Sequence, residues 1–238
     1  MTTQTTFDFG DGNGPVPAHQ HANGGGWVAD TAKVYPTAFV GPDAKVYGYA
    51  IVFEDARIFE KALVAGEAKV SGNAKVCGNA QIYGNARIFG NAQVYGVSRV
   101  YGKAKVFGDA LVSGDRWVSF GCVTCDLSLP ENLKQSIEAQ CNLTVFDGSV
   151  YCYKRVNENL SSEFDTTFVY PIAGIIEAEK YDNHETVACS TGLHFSHLSY
   201  YTRSEDKKIL YAKVALDDII CCLQGKIRVK KAEILGVV

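Results

Sequence analysis

The chain has no run approaching the roughly 18 consecutive apolar residues of a membrane-spanning helix. It also has no long block of like charge and no histidine between Ala22 and Asn183. The first absence argues against a membrane span, and the opening MTTQTTFDFGDGNGPVPAHQHANGGGW lacks the basic start and apolar middle of a secretory signal. A net charge of −3 without charged blocks gives no strong pull toward DNA or an anionic membrane surface. The missing histidines remove a His general base or a His zinc cluster from the middle of the chain. The chain is expected to be cytosolic, with no cofactor.

What the chain does have is 47% hydrophobic residues over 238 positions, enough to bury a core in one or two domains. Its eight cysteines are scattered, with Cys221 and Cys222 adjacent, so free thiols are the expectation. The dominant pattern is a six-residue repeat, plainest in GNAKVCGNAQIYGNARIFGNAQVYG from Gly72 to Gly96. Fifteen hexads run from Val28 to Trp117 without insertion; the first place is always Val or Ile, and the fifth is Ala except at Ser98 and Arg116.

A period of six fits neither a helix nor simple strand alternation. It fits a short strand followed by a sharp corner. The branched residue points inward, its neighbours point outward, and the small Ala turns in where the corner leaves little room. Gly at the third place and Asn or Asp at the fourth supply the positive φ such corners demand.

On these residues the sequence resembles the left-handed parallel β-helix of hexapeptide-repeat proteins, in which three hexads make one triangular coil. The resemblance implies about five coils, nearest-neighbour stability, and ends that need capping. The segment 1–27 is expected to cap the first coil, and its GNGPVPAHQHANGGGW is similar to a leader preceding hexapeptide repeats in bacteriophage and bacterial proteins. His19 and His21 are weak metal candidates there, against a plainer reading as hydrogen-bonding cap residues. Most hexapeptide-repeat proteins are acyltransferases, and some are carbonic anhydrases. The lack of His and of any loop interrupting the hexads argues against an enzyme of either kind.

The outward positions form columns. The residue after each inward one places Tyr35, Phe53, Phe89 and Phe107 on one face, and Tyr47, Tyr83 and Tyr101 on a second. Such columns point to a homotrimer interface, as in the resembling family. Arg87 and Lys105 fall on the Phe-rich face and are ligand candidates, since basic and aromatic side chains together can stack on bases. Across the hexads 11 basic residues against 8 acidic ones keep nucleic acid a minority reading.

The pattern decays after about residue 120. Cys122 and Cys125 form a CxxC, but no second CxxC follows, so they too are weak metal candidates. Ser128 and Glu131 have capping-box spacing for a short helix near Pro130 to Gln140, which makes 121–142 a linker or cap. From 143 to 238 alternating apolar stretches, LTVF, SVYCYKRV, FVYPIAGIIEAEKY, KKILYAKVAL and KIRVKKAEILGVV, predict a small α+β domain with an antiparallel sheet and a helix only around SHLSYYTRS. The predicted fold class is therefore mainly β: a left-handed parallel β-helix over 28–120 followed by a small α+β head.

Within the head, ETVACSTGLHFSHLSYY is the most individual stretch. Cys189 and His194 lie five residues apart, a spacing open to a nucleophile with its base, two zinc ligands, a structural turn, or a small-ligand pocket. Cys189, Ser190, Gly192 and His194 are the head's candidate ligand residues. With Leu193 and Asp218, this stretch resembles a domain of unassigned function in phage proteins, including the C-terminal part of rIIB-like proteins; that resemblance implies no activity. Gly-Leu-His-Phe-Ser is also similar to a strand of ADP-ribosyltransferase-like folds, but no partner Glu accompanies it.

The functional expectation is a non-enzymatic phage or prophage accessory protein, a trimeric scaffold presenting binding heads in the cytoplasm of an infected host. Its partner would be a host or phage protein or a small nucleotide. The alternatives are an anti-defence protein that sequesters a signalling nucleotide or immune protein, a tail or baseplate component of the virion, and an acyltransferase.

Overall fold

The computed structural model describes residues 5–182, 191–201 and 206–238. These divide into two compact units, 1–132 and 133–238.

The first unit is a three-sided parallel β-solenoid of about five coils. Each hexad gives one two-residue strand, made of the residue before the inward position and the inward residue itself: Lys69–Val70, Lys75–Val76, Gln81–Ile82 and so on. Strands 18 residues apart stack in parallel, as Lys33, Ile51, Lys69, Arg87 and Lys105 do on one side. The amides bond from coil to coil, Phe89 N–H to Val106 O at 3.0 Å and Asn91 N–H to Gly108 O at 2.9 Å. Val46, Val52, Ile58, Val64, Val70, Ile82 and Ile88 are fully buried, and so are the fifth-place alanines from Ala38 to Ala92. The β-branched residues suit a strand confined to one rotamer-limited interior row. Ser98, in an alanine place, is buried and directs its hydroxyl to the Tyr95 carbonyl. Stacking continues past the last regular hexad through Trp117–Val118 and Cys122–Val123.

The corners show what the third place requires. Gly66 has φ +64, and a Cβ there would sit 2.9 Å from Gly84 N and 3.1 Å from Gly84 O in the next coil. Glu54 and Glu60 hold the same left-handed conformation with side chains, at φ 57 and 55. Their carboxylates compensate by accepting the Gly72 N–H at 2.6 Å and the Gly78 N–H at 2.7 Å, each one coil further on.

The N-terminal residues extend one side of the solenoid as antiparallel strands, Thr6–Phe7 on Val16–Gln20 on Trp27–Ala29. Phe9, Ala18 and Ala29 form a small core with Phe7, Val16, Trp27 and Tyr47 around it. Phe7 stacks on Trp27 with ring centroids 4.3 Å apart.

Among the described residues the second unit is an antiparallel sheet carrying one nine-residue helix, Leu133–Cys141. The strand order is Gly174–Glu177, Lys231–Val237, Lys207–Ala215, Ser149–Asn157, Leu193–Ser196, Lys226–Val229, Ile219–Leu223, with Val145–Phe146 added on Ser149–Asn157. Its core joins Ile137 and Cys141 of the helix to Val150, Cys152, Phe195, Leu210, Ala212, Ile227 and Val229 of the sheet.

Several expectations need correction. The helix lies in the second unit rather than in a linker. Asp126, not a Ser128/Glu131 capping box, organises the approach: it accepts both the N–H and the hydroxyl of Ser128 and, through its carbonyl, the Asn132 amide. Only Leu198–Tyr200 is helical in SHLSYYTRS among the described residues, as a single 3₁₀ turn whose Ser199 N–H is held by His197 Nδ1. KIRVKKAEILGVV bends at Lys230 into two strands. The thiols are not all reduced: Cys141 and Cys222 form a disulfide between the helix and the strand Ile219–Leu223, while Cys77, Cys122, Cys125, Cys152 and Cys221 stand outside any disulfide.

Candidate functional site

The aromatic columns stand where the repeat places them, on the outside of the solenoid. Phe89 and Phe107 stack face to face, 4.8 Å between centroids with planes 1° apart, and Tyr83 and Tyr101 stack at 5.1 Å and 8°. Tyr35 and Phe53 meet at 6.1 Å. Tyr47 instead meets Phe9 of the N-terminal strands, at 5.0 Å. Coil-to-coil stacking covers part of each ring, so Phe53, Phe89, Phe107, Tyr83 and Tyr101 are half-buried and only Tyr35 is exposed. Arg87 and Lys105 are exposed and sit opposite each other on adjacent coils.

In the cap, His19 Nδ1 lies 2.9 Å from Asp30 Oδ1, and buried His21 bonds through Nε2 to the Ala38 carbonyl at 3.0 Å. Cys122 is exposed and Cys125 half-buried. Among the described residues no three or more His, Cys, Asp or Glu are grouped to hold a metal, and no helix is long and apolar enough to cross a membrane.

The head has one conspicuous polar site. The strand Leu193–Ser196 pairs along its whole length with Lys226–Val229, His194 directly opposite Arg228 and Ser196 opposite Lys226. On its other side a single pair, Tyr153 with Ser196, joins it to Ser149–Asn157, whereas that strand pairs over nine residues with Lys207–Ala215. The sheet therefore has a weakly paired seam. Tyr201 reaches across to donate its hydroxyl to the Tyr153 carbonyl at 3.3 Å.

Strand alternation sorts the side chains at this seam. Leu193, Phe195, Ile227 and Val229 face the core, which puts His194, Ser196, Lys226 and Arg228 on the opposite face. Arg228 is nonetheless only 1% exposed. Gly192, at φ +139, lies against its stem: a Cβ there would be 3.1 Å from Arg228 Cγ and 3.2 Å from Cδ. Lys154 is in phase with Val150, Cys152 and Val156, so an ammonium occupies a core position, 7% exposed, with its Nζ 5.9 Å from the Tyr170 ring. Lys226 Nζ lies 5.2 Å from the Tyr200 ring, and Arg155 bonds Glu163 at 3.1 and 3.2 Å.

These groups act on one another electrostatically. Burial lowers the Lys154 pKa to about 8, with Glu163 opposing and Lys226 and Arg155 adding to the fall. Burial lowers the His194 pKa to about 4, helped by the charges of Lys154, Lys226 and Arg228 and opposed by the Gly192 backbone. The imidazole is thus neutral near neutral pH, and its buried Nε2 has no hydrogen-bond partner among the described residues.

The pH consequence has a fixed sign. The folded-state value of about 4 lies below the ordinary 6.5, so the unfolded chain binds the proton first. The stability that neutral His194 contributes is complete above pH 6.5 and is lost as pH falls toward 4, by at most about 3 kcal/mol. His194→Gln is expected to flatten the pH dependence of the head's unfolding free energy across that window; chemical denaturation at stepped pH reads it, and an unchanged slope would show that His194 does not titrate against folding.

Of the head candidates singled out in the sequence, Gly192 and His194 belong to this seam, while Cys189 and Ser190 lie outside the described residues. Sequence reasoning missed Lys154, Lys226, Arg228 and Tyr201. A signal existed for two of them: Lys154 interrupts the apolar phase of SVYCYKRV, and Arg228 alternates with Ile227 and Val229 in KIRV. The pairing of His194 with Arg228 had none, since it joins segments 34 residues apart.

A family model described as the YdcK beta solenoid repeat matches residues 80–96. That match lies wholly within the hexad repeats and agrees with the solenoid fold. No curated protein and no solved structure matches the chain.

Proposed function

We propose that this is a non-enzymatic binding protein of phage or prophage type, whose solenoid associates as a homotrimer and whose second unit carries the binding surface. The observation that carries the reading is the ladder of half-buried aromatics on the side containing Phe53, Phe89 and Phe107, flanked by exposed Arg87 and Lys105. Self-stacking covers only part of those rings, and a flat, repetitive, apolar strip is suited to a second copy of itself. Three copies of a head on one scaffold give avidity for a repeated or symmetric target.

Light scattering is expected to give three times 25.8 kDa. The double substitution Phe53→Glu and Phe89→Glu should yield monomers with unchanged β-structure by circular dichroism, because burying unpaired carboxylates costs several kcal/mol. A monomeric parent protein overturns the trimer; an unperturbed trimer in the double variant moves the interface to another side.

A second reading, sequestration of a host signalling nucleotide, is favoured by the cationic, tyrosine-lined seam. Small molecules released from the denatured protein and identified by mass spectrometry test it. A virion component would instead be found in purified particles.

A further inference from the structure

The solvent face of the second unit's sheet holds a cleft of about 230 Å³. Ala212, Val214, Val150, Ile176 and Ala232 belong to the core, so alternation puts Lys213, Ser149, Ile175, Lys231 and Glu233 together on the opposite face. Ser149 and Ala215 stand directly opposite each other, and their small side chains leave the hollow. The turn Leu216–Asp218 closes one end of it. That turn is fixed by Leu216 N–H to Gly148 O at 3.0 Å and by Lys230 N–H to Asp218 O at 2.8 Å.

Two cross-strand pairs on this face behave differently. Lys231 and Glu177, directly opposite, close an ion pair at 3.0 Å. Lys213 and Glu233 are also directly opposite, yet they do not approach within ion-pair distance of each other. Asp218, half-buried at the closed end, has no side-chain hydrogen bond or ion pair among the described residues. Glu177 raises the Lys231 pKa and Asp218 adds to the rise, which puts the Asp218 carboxylate within reach of the cleft. With Lys231 already held by Glu177, one cation, Lys213, is left facing two carboxylates, Asp218 and Glu233.

The spacing of these charges selects a ligand. Lys213 and Glu233 are a facing pair of opposite sign, a receptor for a carboxylate and an ammonium carried on neighbouring atoms. Asp218 lies beyond Ala215, which is two residues or about 7 Å along the strand from Lys213. A second positive group at that distance meets it. Ile175, 64% exposed and opposite Glu233, offers an apolar wall beside the pair. A hollow with a few convergent polar groups of this kind is the usual form of a small-molecule site.

We propose that this cleft binds a free basic α-amino acid, with its carboxylate on Lys213, its α-ammonium on Glu233 and its side-chain cation on Asp218. This rests on the binding role proposed for the second unit and names the ligand class it takes.

The test is calorimetric titration of the full-length protein near neutral pH with lysine, norleucine and cadaverine. Norleucine keeps the zwitterionic head and lacks the terminal ammonium; cadaverine keeps both ammonium groups and lacks the carboxylate. Lysine is expected to saturate, and each of the others to bind at least about tenfold more weakly for the loss of one charge-assisted contact. Asp218→Asn is expected to bring lysine down to the affinity of norleucine and to leave norleucine unchanged. Lys213→Met is expected to weaken lysine and norleucine alike, by at least about tenfold, with no effect on cadaverine. The unchanged probe in each variant reports that the cleft is still folded.

No saturation by lysine at millimolar concentration overturns the site. Norleucine bound as tightly as lysine, or lysine unaffected by Asp218→Asn, overturns the side-chain assignment. Cadaverine bound as tightly as lysine, or lysine unaffected by Lys213→Met, overturns the assignment of the zwitterionic head. A trimer that captures a protein target without binding lysine sinks this inference alone; a monomer that binds lysine sinks the scaffold reading alone.

Discussion

Gly66→Ala is expected to lower the stability of the solenoid by about 3 kcal/mol or more, while Gly108→Ala, an identical change with nearly the same φ, costs only about 1–2 kcal/mol. Both glycines sit at a corner in the left-handed conformation, at φ +64 and +68, so both substitutions carry the steric penalty of that conformation. What differs is the neighbour. A Cβ at Gly66 meets Gly84 N at 2.9 Å and Gly84 O at 3.1 Å, and both are main-chain atoms of the next coil with no side chain free to swing away. A Cβ at Gly108 meets nothing within 4 Å.

The overlap at Gly66 can be relieved only by separating two coils, which stretches the hydrogen bonds Ala65 N–H to Ile82 O and Glu67 N–H to Gly84 O, both 2.8 Å. In a structure held by nearest-neighbour terms such a defect divides the stack. Thermal or denaturant unfolding of the isolated variants reads the difference. Equal losses at the two positions would mean that the coils yield freely, and the close stacking of corners would no longer explain why glycine recurs there.

Opening the Cys141–Cys222 disulfide is expected to cost the second unit about 2–4 kcal/mol. The bridge closes a loop with a sequence separation of 81 residues, long enough that the unfolded chain gains substantial freedom when it is released. It also fastens the helix Leu133–Cys141 to the strand Ile219–Leu223 against which that helix packs. Denaturant titration with and without a reductant should show the midpoint falling for one transition only. Cys141→Ser should reproduce the reduced curve and become insensitive to the reductant. Coincident curves under the two conditions would show that the bridge adds nothing to folding.

The solenoid could be written down almost completely from the sequence, because its contacts repeat the chain's own period. Val or Ile every six residues fixes the inward row, and a residue meets its counterpart 18 positions on, so Lys69 opposite Arg87 and Val70 opposite Ile88 follow from counting. Even the exceptions were local. Glu54 and Glu60 stand in the glycine place because a carboxylate can reach the amide of the next coil.

The head's register had no such period. Its strands pair between segments far apart in sequence, and the bend at Lys230, the bridge between Cys141 and Cys222, and the meeting of His194 with Arg228 are all decided by which strand lies beside which. Alternation could place Lys226 and Arg228 on one face, but not bring His194 to that face. The sequence by itself therefore determined the repeat, its inward and outward rows and the antiparallel character of the second unit. Only the tertiary structure decided that Lys154, His194, Lys226 and Arg228 lie within one another's field, because burial and long-range strand pairing, not spacing, set the electrostatics of that seam.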